Sequence, residues 1–389
     1  MKEDIMVAVV GAGPAGSTAA ETVAASGMQV LLVDRKGEIG SPVQCGGFLP
    51  EAFELEGLMP RAGLPQTIRE IPERCILHRT ELQRIYSPSG EYRQFPVAGR
   101  VLDRRAYDRY LAARAASAGA RILPATRARL EQGMMHLSGH FRGKIRPQVI
   151  IGADGPRSTV SRAMGNPAQE TGICLEYEMA NVNIDTKAAE MYFSAYYAPG
   201  GYAWIIPLGQ DTANVGIGVR SSYMAGQKPS AILGRFIREH PAAAEKLAGG
   251  QVLAVMRGLV PSGGSCGVIQ KGNMLLAGDA AGHVMATSGG GIPLAAVAGR
   301  VAGETAAANL RGEMDLSGYV SRIREEFGTQ LSRSVRIRKM VDVAMKSDRL
   351  MNALFAALSP EQMKSAMRAQ IPVPLARRAW ITGGSDLKN

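Results

Sequence analysis

Four cysteines in 389 residues, Cys45, Cys75, Cys174 and Cys266, lie far apart with no CxxC spacing. That argues against a zinc knuckle and against a dense disulfide framework, and such spacing is a poor one for an iron–sulfur cluster. A reducing compartment is expected. Long apolar runs are missing too: no window of about 18 apolar residues goes uninterrupted, so no spanning helix is expected. The run in MKEDIMVAVVGAG is too short and too early for a secretory leader, so the expected location is cytoplasmic. Basic residues are not interleaved with aromatics in a stacking pattern, which speaks against a nucleic-acid partner. With 46% hydrophobic and 20% charged residues the composition is that of a globular protein, and the length suits two or three domains.

Glycine is in excess, 46 residues, clustered at 11–16, 46–47, 200–201, 263–264 and 289–291. Such clusters mark places where backbone must come close to something or take positive φ. Net charge is +11, and from Ser317 to Asn389 there are 13 Lys/Arg against 6 Asp/Glu, a net +7. A basic helical tail suits an anionic membrane surface or an acidic partner as well as plain solvent. Peripheral contact with the inner face of a membrane is the corresponding expectation.

IMVAVV at 5–10 reads as a parallel strand covered on both faces, GAGPAGSTAAETVAASG as a glycine-rich turn opening a helix of small residues, and MQVLLVDR as a second strand ending in an acid. In this βαβ unit Gly11 allows the tight turn, Gly13 lets backbone approach a pyrophosphate, and Gly16 allows close helix–strand packing. Ala15 lies within the same turn. Asp34, followed by Arg35, stands where an adenosine ribose would be held. No second GxGxxG follows a strand, so a separate NAD(P)H domain is not expected.

Later segments repeat the strand–turn–helix order at RPQVIIGADGPRSTVSRAMG and GNMLLAGDAAGHVMATSGGGIPLAAVAGRVAG. Between them the period changes to that of antiparallel strands. LQRIYSPSGEYRQFP reads as a hairpin turning at Pro88-Ser89-Gly90, and EMYFSAYYAPGGYAWIIPLGQDTANVGIGV as three strands joined at PGG and GQD. The fold class is therefore α/β, with a Rossmann-like dinucleotide-binding domain (1–60, 99–165, 256–310) interleaved with an antiparallel-sheet substrate domain (61–98, 166–255). A C-terminal helical segment spans 311–389, with Val320, Ile323, Phe327, Leu331 and Val335 at helical spacing.

GADG at 152–155 and AGDAAGHVMATSGGGI at 277–292 resemble the DG and GD motifs of FAD-dependent hydroxylase-type flavoproteins. That resemblance implies FAD: Asp279 on the ribityl chain, the amides of Gly291 and Ile292 facing the isoalloxazine, Arg104 approaching the cofactor and Ala128 on the adenine side. A helix starting near Pro293 would place its positive end against the flavin's N1–C2=O edge. Taken with SPVQCGG, DRRAYDRYLA and GYAWIIP, the order of motifs over residues 5 to 310 resembles the geranylgeranyl reductase family, FAD enzymes that saturate isoprenoid double bonds. The family's P-x-x-C-G loop reads Pro42-Val43-Gln44-Cys45-Gly46, with Gly47 following. Its Y-x-W-x-F-P motif reads Tyr202-Ala203-Trp204-Ile205-Ile206-Pro207. Two departures are Ile206 in place of Phe, and the lack of an acid two positions after the cysteine loop.

The resemblance implies a prenyl-lipid substrate, electrons from NAD(P)H or a ferredoxin, and a catalytic end carried by Cys45, Tyr202 and Trp204. Tyr202 and Trp204, two apart on a strand, must face one side and could wall an apolar cavity. Met179, Met191, Phe193 and Tyr197 either extend that wall or pack as core, with core favoured. Cys75, Cys174 and Cys266 read as small buried side chains. The proton donor is open between the Cys45 thiol, the Tyr202 phenol and a trapped water, and Arg333, Arg336, Arg338 and Lys339 are candidates for an anionic head group. Rival readings are an aromatic hydroxylase-type monooxygenase and a flavoprotein passing electrons to quinone. Against a halogenase stand Tyr202 at the first tryptophan of its motif and the lack of any lysine between Lys36 and Lys144.

Overall fold

VAVV and VLLV have no polar alternation, and they form the strands Val7–Val10 and Val30–Val33 with every residue buried. They pair in parallel, Val7 opposite Val30. Val149–Gly152 and Met274–Leu276 extend the sheet on one side and Arg121–Leu123 on the other, all parallel, and Gln270–Lys271 adds a short antiparallel edge. This computed structural model describes residues 5–131 and 133–370. Residues 371–389 of the expected C-terminal helical segment lie outside the described residues.

Small residues bring the first and last parts of this layer together. The helix Ile292–Leu310 crosses the helix Pro14–Ala25 so closely that a Cβ on Gly299 would stand 2.2 Å from the Ala15 carbonyl oxygen, and one on Gly303 2.8 Å from that of Ala19. Only glycine permits that approach. The late segment 277–292 is thereby held over the first turn of the chain.

The second sheet has eight strands in the order Gln251–Pro261, Thr171–Ala180, Thr212–Arg220, Tyr202–Pro207, Ala188–Tyr192, Ile76–Tyr86, Tyr92–Leu102, Phe48–Pro50. The hairpin at 88–90 and the three-strand meander are as the sequence pattern predicts. One pairing differs: Ala188–Tyr192 runs parallel to Ile76–Tyr86, so the sheet is mixed. The two strands come from segments a hundred residues apart, and a non-local pairing carries no turn signal. Behind the sheet, helix Pro229–Glu239 packs Ile232, Leu233 and Phe236 against Val215, Ile217 and Ala203.

From Gly318 the chain is helical through Gly318–Ile323, a π turn at Arg324–Gly328, Thr329–Ala344, Asp348–Ala357 and Pro360–Met367. Ile323, Phe327 and Leu331 are buried as their spacing predicts. The last helices lie on the front of the large sheet, where Met345, Met351, Phe355 and Met363 pack with Ile85, Phe95 and Val97. Each such side chain contributes about 1.5–3 kcal/mol on burial, enough to fix the helices there.

Candidate active site

The first turn leaves room where a dinucleotide needs it. Gly11 has φ +100°, and a Cβ on it would lie 2.2 Å from the Ala153 carbonyl oxygen; one on Gly16 would lie 1.8 Å from that of Gly11. Gly13, by contrast, faces open space, and it caps its helix with no side chain. The free N–H groups of that first turn point where an anion would sit. Asp34 stands at the end of the second strand, accepting from the amides of Ala12 and Lys36, both at 2.7 Å, with Arg35 exposed beside it. Thr126 donates its N–H to the Asp34 carbonyl at 2.8 Å, so the strand Thr126–Glu131, which carries Ala128, leaves from the same corner.

The other end is built by the late segment. Asp279 is half-buried, and its Oδ1 lies 3.4 Å from where a Cβ on Gly291 would stand. Burial raises its pKa to about 6, against the opposing pull of Arg104. Gly291 is the N-cap of Ile292–Leu310, and no side chain caps that terminus. Arg104 opens the helix Arg104–Ser117 and is held by Asp108, Nη2 to Oδ1 2.9 Å. Burial works against its charge, but Asp108 and the nearby Cys45 thiol hold it firmly protonated. The residues along this path fit an extended dinucleotide from the 11–16 turn, past Arg104, to Asp279 and the helix at 292.

Beyond that path, the Cys45 loop and the Tyr202–Pro207 strand meet. After a cis Ser41–Pro42 peptide the loop lays Gly46 on the sheet: a Cβ there would be 3.0 Å from Ile206 Cδ1 and 3.3 Å from both Asn214 Oδ1 and Trp204 Nε1. Between the loop, the sheet, segment 285–294 and the C-terminal helices lies a cavity of ≈ 380 Å³ with a mainly apolar lining. Cys45, Tyr202 and Trp204 all line it, as do Gly291 and Ile292. The Tyr202 and Trp204 rings face the same side, 5.8 Å apart, and Phe193 stands 5.6 Å from Tyr202. Tyr202 donates its hydroxyl to the Ser288 carbonyl, and burial pushes the phenol well above its ordinary pKa.

Several side chains fall elsewhere than their sequence context suggests. Met191 and Phe193 line the cavity, whereas Met179 and Tyr197 pack in the core behind the sheet. Cys75 is core, but Cys174 lines the cavity, two residues from Glu176 on the same strand face. Glu176 is 1% exposed, accepts from Asn214 Nδ2 at 3.2 Å, and has its pKa raised by burial to about 7. Neither Cys174 nor Glu176 belongs to a motif; only strand alternation, counted from the correct register, would have placed them inward. Among the four expected head-group cations, Arg338 lines the cavity and pairs with Glu170 at 2.6 Å, while Arg333, Arg336 and Lys339 are exposed. Arg338 is separated from the others because it faces the sheet side of its helix.

The rest of the cavity wall is closed by ion pairs. Arg220, 8% exposed at its side chain, pairs with Asp342 of helix Thr329–Ala344, Nη1 to Oδ2 3.0 Å. Arg368 pairs with Glu54, and Lys364 donates to the Pro96 carbonyl at 2.7 Å.

Residues 170–260 match the model of the geranylgeranyl reductase catalytic domain, and residues 9–46 that of an NAD(P)-binding Rossmann-like domain. The chain is 34% identical to digeranylgeranylglycerophospholipid reductase 2 of Methanopyrus kandleri, over 98% of this chain and 97% of that one. It is 35% identical to digeranylgeranylglycerophospholipid reductase 2 of Methanothermobacter thermautotrophicus, over 95% of each. A geranylgeranyl bacteriochlorophyll reductase-like protein from Thermoplasma acidophilum superposes with a TM-score of 0.76 at 27% identity, covering 98% of this chain and 96% of that one. The flavin-dependent brominase Bmp2, at 14% identity and a TM-score of 0.73, shares the fold alone, covering 96% of this chain and 98% of its own. With the motifs, the sheet architecture and near full-length relatives in agreement, the chain belongs to the geranylgeranyl reductase family.

Proposed function

We propose that the protein is an FAD-dependent reductase that saturates carbon–carbon double bonds of a geranylgeranyl-type prenyl chain carried on a lipid or diphosphate. The observation that carries this reading is the convergence of the Cys45 loop and the Tyr202–Trp204 strand on one apolar cavity beside Gly291 and Ile292. An apolar slot walled by aromatics suits an isoprenoid tail, whereas a small aromatic substrate would leave most of it unfilled.

Gly11, Gly13, Ala15 and Gly16 hold the cofactor's pyrophosphate, and Asp34 its ribose, with Arg35 and Ala128 on the adenine side. Asp279, Arg104, Gly291 and Ile292 hold the flavin end. Reduced FAD supplies a hydride. The protein's own part is to position the alkene and keep out water, which strengthens the local electrostatics. Tyr202, fixed through Ser288, and Trp204, fixed through Asn214, form a rigid wall; Cys45, with Gly46 and Gly47, sets the ring-side face. The electrons would come from NAD(P)H or a ferredoxin that docks transiently.

Where the prenyl chain is carried on a membrane lipid, the protein meets it as a peripheral protein on the cytoplasmic side. No helix among the described residues is long and apolar enough to cross a membrane. In support of surface contact, Phe53 (62% exposed) and Val343 (61%) stand next in sequence to Glu54 and Asp342, which line the cavity. The test is anaerobic: the flavin of reduced enzyme should reoxidise on adding a geranylgeranyl lipid, with product masses rising by two hydrogens per bond. Reoxidation by oxygen alone, with hydroxylated product, would instead identify a monooxygenase.

A further inference from the structure

Four carboxyls line the cavity: Glu54 is paired with Arg368, Asp342 with Arg220 and Glu190 with Lys246 at 2.7 Å, whereas Glu176 makes no ion pair among the described residues. Glu176 lies on the strand Thr171–Ala180, on the face that carries Cys174, and lines the cavity with Cys45 and Trp204. In register it stands opposite Gly216, and Trp204 stands on the other side of the same glycine. The indole spreads over Gly216, where a Cβ would meet Trp204 Cζ2 at 2.4 Å. Carboxyl and indole are therefore neighbours across bare backbone.

Asn214 fixes which way the carboxyl is used. An indole nitrogen only donates, so Asn214 turns Oδ1 to Trp204 Nε1 at 2.7 Å and its amide hydrogens to Glu176 Oε2 at 3.2 Å. Oε2 is thus an acceptor, and the acid hydrogen belongs on Oε1, which makes no hydrogen bond to the described residues. The other candidate donors are engaged differently. The Tyr202 hydroxyl is committed to the Ser288 carbonyl, and the Cys45 sulfur accepts from the Gly47 amide at 3.4 Å and faces Arg104.

We propose that Glu176 is the proton donor of the reduction, aimed by Asn214 and Trp204; this rests on the prenyl-reductase reading. The Oε1–H bond breaks and the alkene's π pair forms the new C–H bond to that proton. The hydride, with its electron pair, comes from the reduced cofactor and completes the other carbon. The alkene gains two electrons, the cofactor loses two, and Glu176 is left as a carboxylate that recovers a proton from water before the next turnover. An unpolarised alkene is a weak base, so the two transfers overlap in time. The charged and titratable groups that face Glu176 are Arg104 from its helix, Cys174 on its own strand and Tyr202 on the meander, with Cys45 of the loop and Asp279 beyond Cys174. Burial outweighs the pull of Arg104, so the acid form persists to about pH 7.

The test uses reduced holoenzyme mixed anaerobically with a geranylgeranyl lipid from about pH 5 to about pH 9, with flavin reoxidation followed directly. In the wild type the rate should fall tenfold per pH unit above about 7. Glu176→Gln should slow it by about 10²- to 10⁴-fold and remove the break, while FAD content and reduction by dithionite stay normal. Glu176→Asp should be slowed but keep the break, which covers the case in which the amide variant fails to fold. Asn214→Leu removes the bond that favours the carboxylate and should move the break to higher pH. Independently of turnover, the infrared band of a protonated carboxyl should vanish across the same pH range in the wild type and be missing in Glu176→Gln. If wild-type enzyme does not reoxidise with the lipid, the reductase reading falls and the donor role with it. If it does, and Glu176→Gln reacts within about twofold of wild type with the same break, another group gives the proton and the inference is overturned.

Discussion

At Gly216 a single methyl group would decide the position of the largest ring in the cavity. Its Cβ would press on Trp204 at 2.4 and 2.6 Å and on the Leu175 carbonyl at 3.0 Å. Overpacking of that kind costs about 1–3 kcal/mol or moves the ring. Gly216→Ala should therefore break the Trp204–Asn214 hydrogen bond and lower prenyl turnover by about tenfold or more, while the dinucleotide turn and FAD content are untouched. Absorbance of the purified protein and lipid turnover check the two halves. The residues that matter here differ in how readable they are. Cys45, Tyr202 and Trp204 sit in motifs with fixed spacing, so their convergence was foreseeable. Glu176 and Glu178 sit two apart in LEYEMA and look identical as text. What distinguishes Glu176 is its partner Asn214, supplied by another strand, and its burial, which only the assembled sheet defines.

Among the elements, the helix Thr329–Ala344 is latched to the sheet by polar contacts as much as by its apolar side. Arg220 reaches it from the sheet, bonding the Gly200 carbonyl through Nε at 2.6 Å and Asp342 through both terminal nitrogens. Asp342→Asn leaves a buried guanidinium half-paired, with Glu170 at 3.5 Å as its remaining acid. A loss of about 2 kcal/mol is expected, read by chemical denaturation, together with faster amide exchange in 329–344 and not in the Rossmann-like sheet. That residues 318–344 are helical is plain from their periodicity. Where they dock is not, because Arg220, Asp342, Arg338 and Glu170 come from three distant segments, and charge pairing over such distances leaves no trace in local pattern.

Over the whole molecule, burial of titratable groups sets a pH window. His283 is fully buried with neither ring nitrogen partnered among the described residues, and burial lowers its pKa to about 3; His240 is likewise lowered by burial, to about 4. Both stay neutral in the fold and take a proton in the unfolded chain near its ordinary value. Stability from this source is full above about pH 6.5 and is lost as pH falls, by about 2 kcal/mol for each at about pH 5. Asp279 and Glu176, with raised values of about 6 and 7, act in the opposite sense: stability is lost as pH rises through those values. His283→Leu should therefore flatten the acid limb of a denaturation series relative to wild type, while leaving the alkaline limb alone. His283 packs edge-on against Phe327 at 5.1 Å, so an apolar replacement has a suitable neighbour.

The front of the large sheet is nearly smooth at Gly172 and Gly218, where the cavity floor is peptide backbone and a Cβ on Gly218 would meet nothing nearer than 3.6 Å. Such a strip of bare backbone between Cys174 and the aromatic wall would serve as a rail: methyl branches of a tail would find little on it to catch on, so successive isoprene units should pass the same spot within one binding event. Gly218→Val would set a ratchet tooth in that rail, and chromatography of the products should then show tails abandoned partway, some units saturated and the remainder untouched.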